Sequence, residues 1–357
     1  MIDSKCHTTE WIELKSKELG YSDKNLIEKV IRAFTLLDML ATSGCPFHFK
    51  GGSCLMLLLN DVTHRLSIDI DIMCPPDVNV DDYLDKYAES GFIEYTLVER
   101  RQAGIDVPKS HSKFFYKVAF KSDLDRTSFI LLDVLYEDCH YQKVQRIAIE
   151  NEFIETVGEK VFVNVPSIGD ILGDKLTAFA PNTTGIPYYK NGRSATLEII
   201  KQLYDIGRLF DRTDDLTTTT EAFGKIASVE LGYRSMDTGD LNPIFDDILD
   251  TSLIISMRGL IEKNKFTLLQ EGIKSIGPFI YKQTYHIENA IVDASKAAYI
   301  STLIKNGITA VEHYNGNPLS VTDLKLASVL PGKLNKLKMG NPEAFFYWAK
   351  ASRIIAG

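Results

Sequence analysis

The segment Phe47–Met73, FHFKGGSCLMLLLNDVTHRLSIDIDIM, contains the two patterns around which the rest of the chain is organised. Its first half predicts a short strand, Phe47–Lys50, then two glycines and an apolar helix, Ser53–Leu59. Its second half predicts a strand that contains Asp69 and Asp71. Side chains two positions apart on a strand point to the same face, so these carboxylates can hold a hard divalent cation together.

The glycine turn has the composition of a phosphate site. Gly51 and Gly52 let the backbone come close to a ligand, and the N-terminus of the following helix offers unpaired N–H groups to an anion. Ser53 adds a hydroxyl at the capping position, and Lys50 adds a positive charge. A tight turn or a solvated acidic strand would explain either pattern alone, but the two together describe a site for a nucleotide and a metal ion.

Together the two patterns resemble the nucleotidyltransferase signature of the DNA polymerase β superfamily. The closer resemblance is to the AbiEii/AbiGii toxin family, whose members read KGG-(T/S)-x-L, a helix, and then R-(L/F)-S-x-D-(I/L)-D. Lys50–Leu55 (KGGSCL) matches the first pattern, and Arg65–Asp71 (RLSIDID) matches the second. The resemblance implies that Asp69 and Asp71 bind Mg²⁺ or Mn²⁺ and that the substrate is an NTP.

Asp133 stands inside an apolar stretch, Phe129–Leu135, that predicts a strand. A carboxylate in such a place is costly unless it is paired or bound to a metal ion. The superfamily takes its third metal carboxylate from a later neighbouring strand, so the resemblance implies that Asp133 is that ligand. A satisfied structural aspartate, or one just past the buried part of the strand, is the alternative.

The resemblance extends into the predicted helical half at a lysine. Asp174-Lys175-Leu176 matches a family tripeptide that carries an active-site lysine. The residues alone favour another interpretation. Lys175 lies at helical spacing between Ile171 and Phe179, so its stem would follow apolar surface and its ammonium would point outward.

Asp205 matches the last acid of the family pattern K…R-D-(L/F)-(Y/F)-D-(I/L). Two features depart from that pattern: Lys201-Gln202 replaces the usual Arg-Asp, and an insertion at 182–192 lengthens the spacing from the lysine. A surface ion pair with Lys201 or Arg208 is the alternative for Asp205.

Composition indicates a soluble globular protein. The hydrophobic content is 45% and the charged content is 25%. No apolar run approaches the roughly 20 residues of a membrane-spanning helix, so we expect a cytoplasmic protein with no membrane partner. The five cysteines are scattered and form no C-x-x-C pair, which predicts reduced, mostly buried thiols.

A net charge of −8 argues against broad, nonspecific binding to nucleic acid. The segment from Asp323 to the end is nevertheless basic and contains a group of aromatic residues. Basic groups near aromatic rings suit a single-stranded RNA end, which is bound by phosphate contacts and stacking. A solvated face with aromatic residues in the core is the alternative, and composition favours it. The residues concerned are Lys325, Lys333, Lys336, Lys338, Phe345, Phe346, Tyr347, Trp348, Lys350 and Arg353.

The predicted fold is α+β, with a nucleotidyltransferase domain built on a small mixed β-sheet flanked by helices and followed by a C-terminal helical bundle. We expect N-terminal helices at 1–44 that pack on the catalytic domain, the nucleotidyltransferase domain at 45–165 and the helical domain at 166–357. Further strands are predicted at 92–99, 113–121, 128–136 and 160–165. Helices are predicted within 8–43, at 80–90, from a cap at Ser167 to an end at Pro181, and then at 194–210, 222–229, 244–257, 266–276, 287–305, 322–329 and 342–355.

The favoured function is nucleotidyl transfer from an NTP to an RNA acceptor such as a tRNA 3′ end. The resemblance implies a toxin of a toxin–antitoxin or phage-defence system that is encoded with a cognate AbiEi-like antitoxin. It also assigns the triphosphate to Gly51, Gly52 and Ser53 and to a basic residue, namely Lys50, Arg65 or Lys175. Transfer to a protein or small-molecule hydroxyl, or a nucleotide-binding regulator with no turnover, remain the alternatives.

Overall fold

The computed structural model describes residues 1–60, 64–97, 107–120 and 126–357. The chain forms two compact units. The first comprises Met1–Ser167 and the short segment Pro278–Gln283, and the second comprises Ile168–Gly277 and Thr284–Gly357. The fold is α+β, as predicted. Within the described ranges, no helix is long and apolar enough to cross a membrane.

The first unit is built on a mixed sheet. Within the described residues its strand order is β3-β4-β5-β2-β1-β7-β6, where the strands are β1 (His48–Lys50), β2 (Ile70–Cys74), β3 (Glu94–Leu97), β4 (Lys109–Lys117), β5 (Thr127–Tyr136), β6 (Val144–Ala148) and β7 (Phe162–Pro166). Strand β2 is antiparallel to β1 and parallel to β5, and β4 is antiparallel to β5. The sheet therefore places both predicted aspartate strands next to each other at its centre.

Among the described residues of this unit, three α-helices accompany the sheet: α1 (Thr9–Glu18), α2 (Lys24–Thr42) and α3 (Gly51–Leu58). Asp23 caps α2, because its carboxylate accepts a hydrogen bond from the backbone N–H of Leu26 at 3.0 Å. Helix α2 packs against β2 and β5. Helix α3 begins at the first glycine of the KGG motif, two residues earlier than predicted.

Some predicted elements of the first unit differ from the structure. The helix expected at 80–90 is a short 3-10 turn, Val80–Tyr83, followed by turns. Its polar side chains bond locally instead, as in the 2.9 Å contact between Asn79 Nδ2 and Asp82 Oδ1. Strand β4 begins four residues earlier than expected, and β6 was not predicted. Positions 98, 99 and 121 of the predicted strands lie outside the described residues.

The second unit is mainly helical. Its helices are α4 (Ile168–Ala178), α5 (Thr196–Phe210), α6 (Thr217–Tyr233), α7 (Asn242–Ser256), α8 (Lys263–Ser275), α9 (Ile287–Lys305), α10 (Leu337–Gly340) and α11 (Pro342–Ala356). A small hairpin, β8 (Tyr189–Lys190) and β9 (Arg193–Ser194), precedes α5. Helix α5 contacts α4, α8 and α9, so it lies inside this unit.

The C-terminal segment corrects the helix expected at 322–329 and supports the interpretation, favoured by composition, that its aromatic residues lie in the core. No helix forms at 322–329, where the carbonyls of Thr322 and Leu324 accept hydrogen bonds from Lys338 Nζ at 2.6 and 3.0 Å. Tyr347 and Trp348 are buried, as is Phe345. These three rings belong to the core and are not available as a stacking platform for RNA bases.

Pro278–Gln283 belongs to the first unit although it follows α8 in sequence. The N–H of Leu66 donates to the carbonyl of Phe279 at 2.7 Å, and the N–H of Tyr281 donates to the carbonyl of His64 at 2.9 Å. The segment thus pairs with the chain that carries the R-L-S part of the motif. Nothing in the sequence pattern indicated this pairing.

Candidate active site

Four polar side chains form a row across four neighbouring strands of the first unit. Lys50 on β1 pairs with Asp71 on β2, and Asp71 pairs with Asp133 on β5. Asp133 pairs in turn with His111 on β4. Directly paired residues point to the same face of a sheet, and neighbouring strands lie about 4.8 Å apart. This cross-sheet row therefore brings together two carboxylates that come from distant parts of the sequence.

Asp69 is half-buried and lies immediately before β2, so it falls just outside the strand that was predicted to contain both acids. Ser53, which is fully buried, donates its hydroxyl hydrogen to the carbonyl oxygen of Asp69 at 2.6 Å. This hydrogen bond ties the first turn of α3 to the aspartate strand. It differs from the phosphate contact expected for Ser53, because the hydroxyl is directed to the protein's own backbone.

The two glycines are required by neighbouring side chains. Gly51 has a φ of +78°, and a Cβ there would collide with the carboxylate of Asp71. A Cβ at Gly52 would lie 2.7 Å from Arg65 Nη2 and 2.7 Å from Ser67 Oγ. The KGG and R-L-S-x-D-I-D motifs therefore pack directly on each other. The two motifs therefore need each other for packing, whether or not they also bind a common ligand.

The two basic residues of these motifs have different surroundings. Arg65 is buried, and its Nη1 donates to the carbonyl of Leu66 at 3.2 Å. Lys50 is half-buried, and its Nζ lies 5.9 Å from the centre of the Tyr141 ring. Contact of either side chain with a triphosphate stays a prediction.

Asp133 has a partner that sequence reasoning missed. Its Oδ1 lies 2.6 Å from His111 Nδ1, and both side chains remain partly exposed. The predicted strand began at Lys113, so His111 fell outside it. The burial of Ser112, Phe114 and Tyr116 shows the alternation that would have revealed it. Continuing the alternation back from Lys113 to His111 places His111 on the same face as Lys113, opposite to the buried residues.

The donor chemistry of the row suits a hard divalent cation. Asp71 and Asp133 offer carboxylate oxygens from paired positions, and Asp69 lies two residues before Asp71. In the described ranges, no group of three or more His, Cys, Asp or Glu side chains is arranged to hold a metal ion. The assignment of Asp69, Asp71 and Asp133 as metal ligands stays a prediction.

Lys175 and Asp205 meet inside the second unit. Lys175 Nζ lies 2.9 Å from Asp205 Oδ2 and donates to Gln202 Oε1 at 2.9 Å. Both charged residues are buried. The outward-pointing lysine and the surface ion pair considered above are therefore both wrong. Gln202, which departs from the family pattern, is thus a second partner of the ammonium.

Arg208, which is partly exposed, forms a separate ion pair with the fully buried Asp293 on α9. Arg208 Nη2 lies 2.9 Å from Asp293 Oδ1, and the hydroxyl of Tyr285 donates to Asp293 Oδ2 at 2.8 Å. The charge of Asp293 raises the pKa of Arg208, while burial raises the pKa of Asp293. A Cβ at Gly207 would collide with this carboxylate. These contacts give the α5–α9 packing a specific polar centre.

The sequence model of the family described as "Nucleotidyl transferase AbiEii toxin, Type IV TA system" matches residues 35–265. This chain belongs to the AbiEii toxin family. The match includes every predicted site residue from Lys50 to Asp205. Membership identifies the chain as a nucleotidyltransferase toxin, and it implies an NTP substrate and an antitoxin as partner. The resemblance inferred from the two motifs is confirmed.

Solved structures similar to this AbiEii-family chain include three described proteins. MenT4, a nucleotidyltransferase toxin from Mycobacterium tuberculosis, has 13% identity over 95% of this chain and 98% of that chain, with a TM-score of 0.49. JHP933 from Helicobacter pylori has 14% identity over 81% and 94%, with a TM-score of 0.43. A putative nucleotidyltransferase from H. pylori has 15% identity over 80% and 97%, with a TM-score of 0.42. No curated protein matches the sequence.

Proposed function

We propose that this chain transfers a nucleotide from an NTP to an RNA acceptor, such as the 3′ end of a tRNA, and that transfer requires Mg²⁺ or Mn²⁺. The observation that carries the proposal is the pairing of Lys50, Asp71 and Asp133 across β1, β2 and β5. A cation and two carboxylates from separate motifs meet on one face of the sheet. Family membership supports the class of reaction, and the residues of this row are the groups that we propose for it.

Each group has a role that follows from its chemistry. Asp69, Asp71 and Asp133 would hold the divalent cation, which supplies charge stabilisation on the reacting phosphate when it is bound. Lys50 would bind the triphosphate beside them. The oxygen of the acceptor hydroxyl would form a bond to the α-phosphorus, its proton would pass to the Asp133 carboxylate, and the P–O bond to pyrophosphate would break so that pyrophosphate leaves.

The RNA acceptor rests on the family resemblance. The aromatic residues proposed for base stacking are largely buried, and the net charge is −8. Exposed Lys325, Lys333 and Lys336 remain as groups for phosphate contacts. A role in phage defence, cytoplasmic action and a cognate AbiEi-like antitoxin belong to the same proposal.

The test is incubation of the purified chain with α-labelled NTPs, total RNA and total protein, with Mg²⁺ and with excess chelator. We expect label in RNA that disappears with the chelator. Asp71→Asn should abolish the label, because the paired carboxylates of Asp71 and Asp133 then lose one of their two negative charges. Asp77→Asn, on an exposed residue shortly after β2, is the matched control and should retain the label.

Other outcomes separate the alternatives. Label in protein or in a small molecule would show that nucleotidyl transfer occurs but that the acceptor is not RNA. No label with any of the four NTPs, despite NTP binding, would favour a nucleotide-binding regulator. Transfer that survives both the chelator and Asp71→Asn would exclude the proposed metal site.

A further inference from the structure

The hydrogen bond between His111 and Asp133 connects β4 to the carboxylate proposed to act in transfer. The two residues are directly paired across β4 and β5, and Nδ1 lies 2.6 Å from Oδ1. A carboxylate oxygen accepts hydrogen bonds, so Nδ1 carries the hydrogen and donates it. The contact is short for an N–H···O bond, as expected where the acceptor is charged.

This contact restricts the carboxylate of Asp133. A free aspartate side chain can rotate about its terminal bond, which exchanges its two oxygens. The donation from His111 engages Oδ1 and fixes the orientation of the carboxylate plane. The second oxygen is thereby presented in one direction along the same face as Asp71, which is paired with Asp133 on the other side.

The neighbouring side chains do not explain the contact as ordinary packing. On this face β4 carries His111 and Lys113, both half-buried, whereas the opposite face carries buried Ser112 and Phe114. His111 is therefore outside the apolar layer of the first unit. The polar contact described for the His111 side chain is with Asp133, the one acidic residue of β5.

We propose that His111 is a positioning residue that holds the Asp133 carboxylate in the orientation required to bind a divalent cation beside Asp71. The proposal rests on the proposed function. Carboxylates that bind metal ions are commonly oriented by hydrogen bonds from neighbouring groups, and losing such a partner typically lowers metal affinity or activity by about 10–100-fold. His111 acts through Asp133 and does not itself contact the reacting groups.

Three substitutions separate positioning from packing. His111→Asn retains an N–H donor near the place of Nδ1, His111→Gln moves the donor to the place of Nε2, and His111→Ala removes it. Ser110→Ala is the matched control, because it removes a hydrogen bond to Tyr136 between the same two strands, 3.3 Å long, from the adjacent position. Binding of Mn²⁺ alone is measured by electron paramagnetic resonance, and the Mg²⁺ dependence of kcat and KM is measured with NTP.

We expect His111→Ala and His111→Gln to weaken Mn²⁺ binding by about 10-fold or more and to raise the Mg²⁺ concentration required for half-maximal kcat, with little change in KM for NTP. His111→Asn should restore both properties substantially, and Ser110→Ala should leave them unchanged. If the alanine variant does not fold, the difference in Mn²⁺ binding between the Asn and Gln variants tests the proposal by itself.

The proposal is overturned if all His111 variants bind Mn²⁺ as wild type does, if Asn and Gln behave alike, or if the wild type binds no Mn²⁺. Failure of the proposed function would give a different combination of Mn²⁺ binding and nucleotide transfer. Wild type would then bind Mn²⁺ and depend on His111 for it, yet transfer no nucleotide to RNA.

Discussion

Lys175 Nζ lies 2.9 Å from Asp205 Oδ2 in the interior of the second unit. The side chains are 8% and 1% exposed, so the pair is removed from water almost completely. Two opposite charges in such a place depend on each other. The loss of one partner leaves the other charged and buried, which is costlier than the loss of both.

We expect Lys175→Met to lower the free energy of unfolding by about 3–5 kcal/mol, because the ion pair with Lys175 is lost while the Asp205 carboxylate stays buried. The double variant Lys175→Met/Asp205→Leu should recover most of that loss. Urea denaturation of the four proteins in the cycle measures the coupling. Lys160→Met breaks an exposed pair with Glu150, 2.7 Å long, and should cost less than about 1 kcal/mol.

The same proteins test the catalytic assignment. If the double variant is stable but transfers no nucleotide, the pair acts in transfer beyond its structural role. Full transfer by a stable double variant would remove both residues from the catalytic set. A cost of Lys175→Met equal to that of Lys160→Met would contradict the buried-pair interpretation.

The central part of the first unit was predictable because its constraints are local. The alternation of Ile70 and Ile72 with the acids sets the face of β2, and the glycines mark the start of α3. Asp133 was identifiable because an acid interrupts an apolar run. In each case a short stretch contains its own physical signal.

Contacts between distant segments were not predictable in the same way. His111 joins Asp133 only because β4 extends back to Lys109, and Lys175 meets Asp205 only because α4 packs on α5. Pro278–Gln283 pairs with the R-L-S segment because the chain comes back to the first unit after α8, and no periodic pattern in the sequence marks this return. Each of these depends on tertiary packing, which a single sequence does not show.

Gly51→Ala tests the contact between the two motifs. Gly51 and Gly44 both have positive φ, +78° and +80°, so alanine should cost about 1–2 kcal/mol of backbone strain at either position. Only Gly51 faces a side chain, since a Cβ at Gly44 would meet nothing within 4 Å. We therefore expect Gly51→Ala to displace Asp71 and to lower the transfer rate by about 10²-fold. Gly44→Ala should retain activity at matched stability. Equal transfer rates for the two variants would show that Asp71 does not require this contact.

Gly207→Ala tests the polar centre between α5 and α9. The added methyl group would collide with the Asp293 carboxylate, which Arg208 and Tyr285 hold in place. Such overpacking should destabilise the protein by about 1–3 kcal/mol. Gly224→Ala, in the interior of α6 with nothing within 4 Å of its Cβ, should instead stabilise it by about 0.5–1 kcal/mol. Thermal unfolding distinguishes the two, and a Gly207→Ala protein as stable as Gly224→Ala would mean that Asp293 can move aside.

His7 should make the stability of the protein depend on pH. Burial, together with a smaller effect of the positive charge of Arg32, lowers the pKa of His7 to about 4. The imidazole Nε2 lies 2.8 Å from the hydroxyl of Thr35 in the folded chain. In the unfolded chain its pKa is about 6.5. Between these two values the unfolded state binds more protons than the folded state.

The contribution of His7 to stability is therefore complete above about pH 6.5 and is lost as the pH falls toward 4, to a total of about 3 kcal/mol. His7→Gln retains a polar group for Thr35 but does not titrate. We expect the difference in free energy of unfolding between wild type and this variant to change by that amount over the interval and to be constant above it. Denaturant titrations at several pH values give this difference directly, and carboxylates common to both proteins cancel. A difference that stays flat from pH 7 to 4 would show that His7 titrates alike in the folded and unfolded chains.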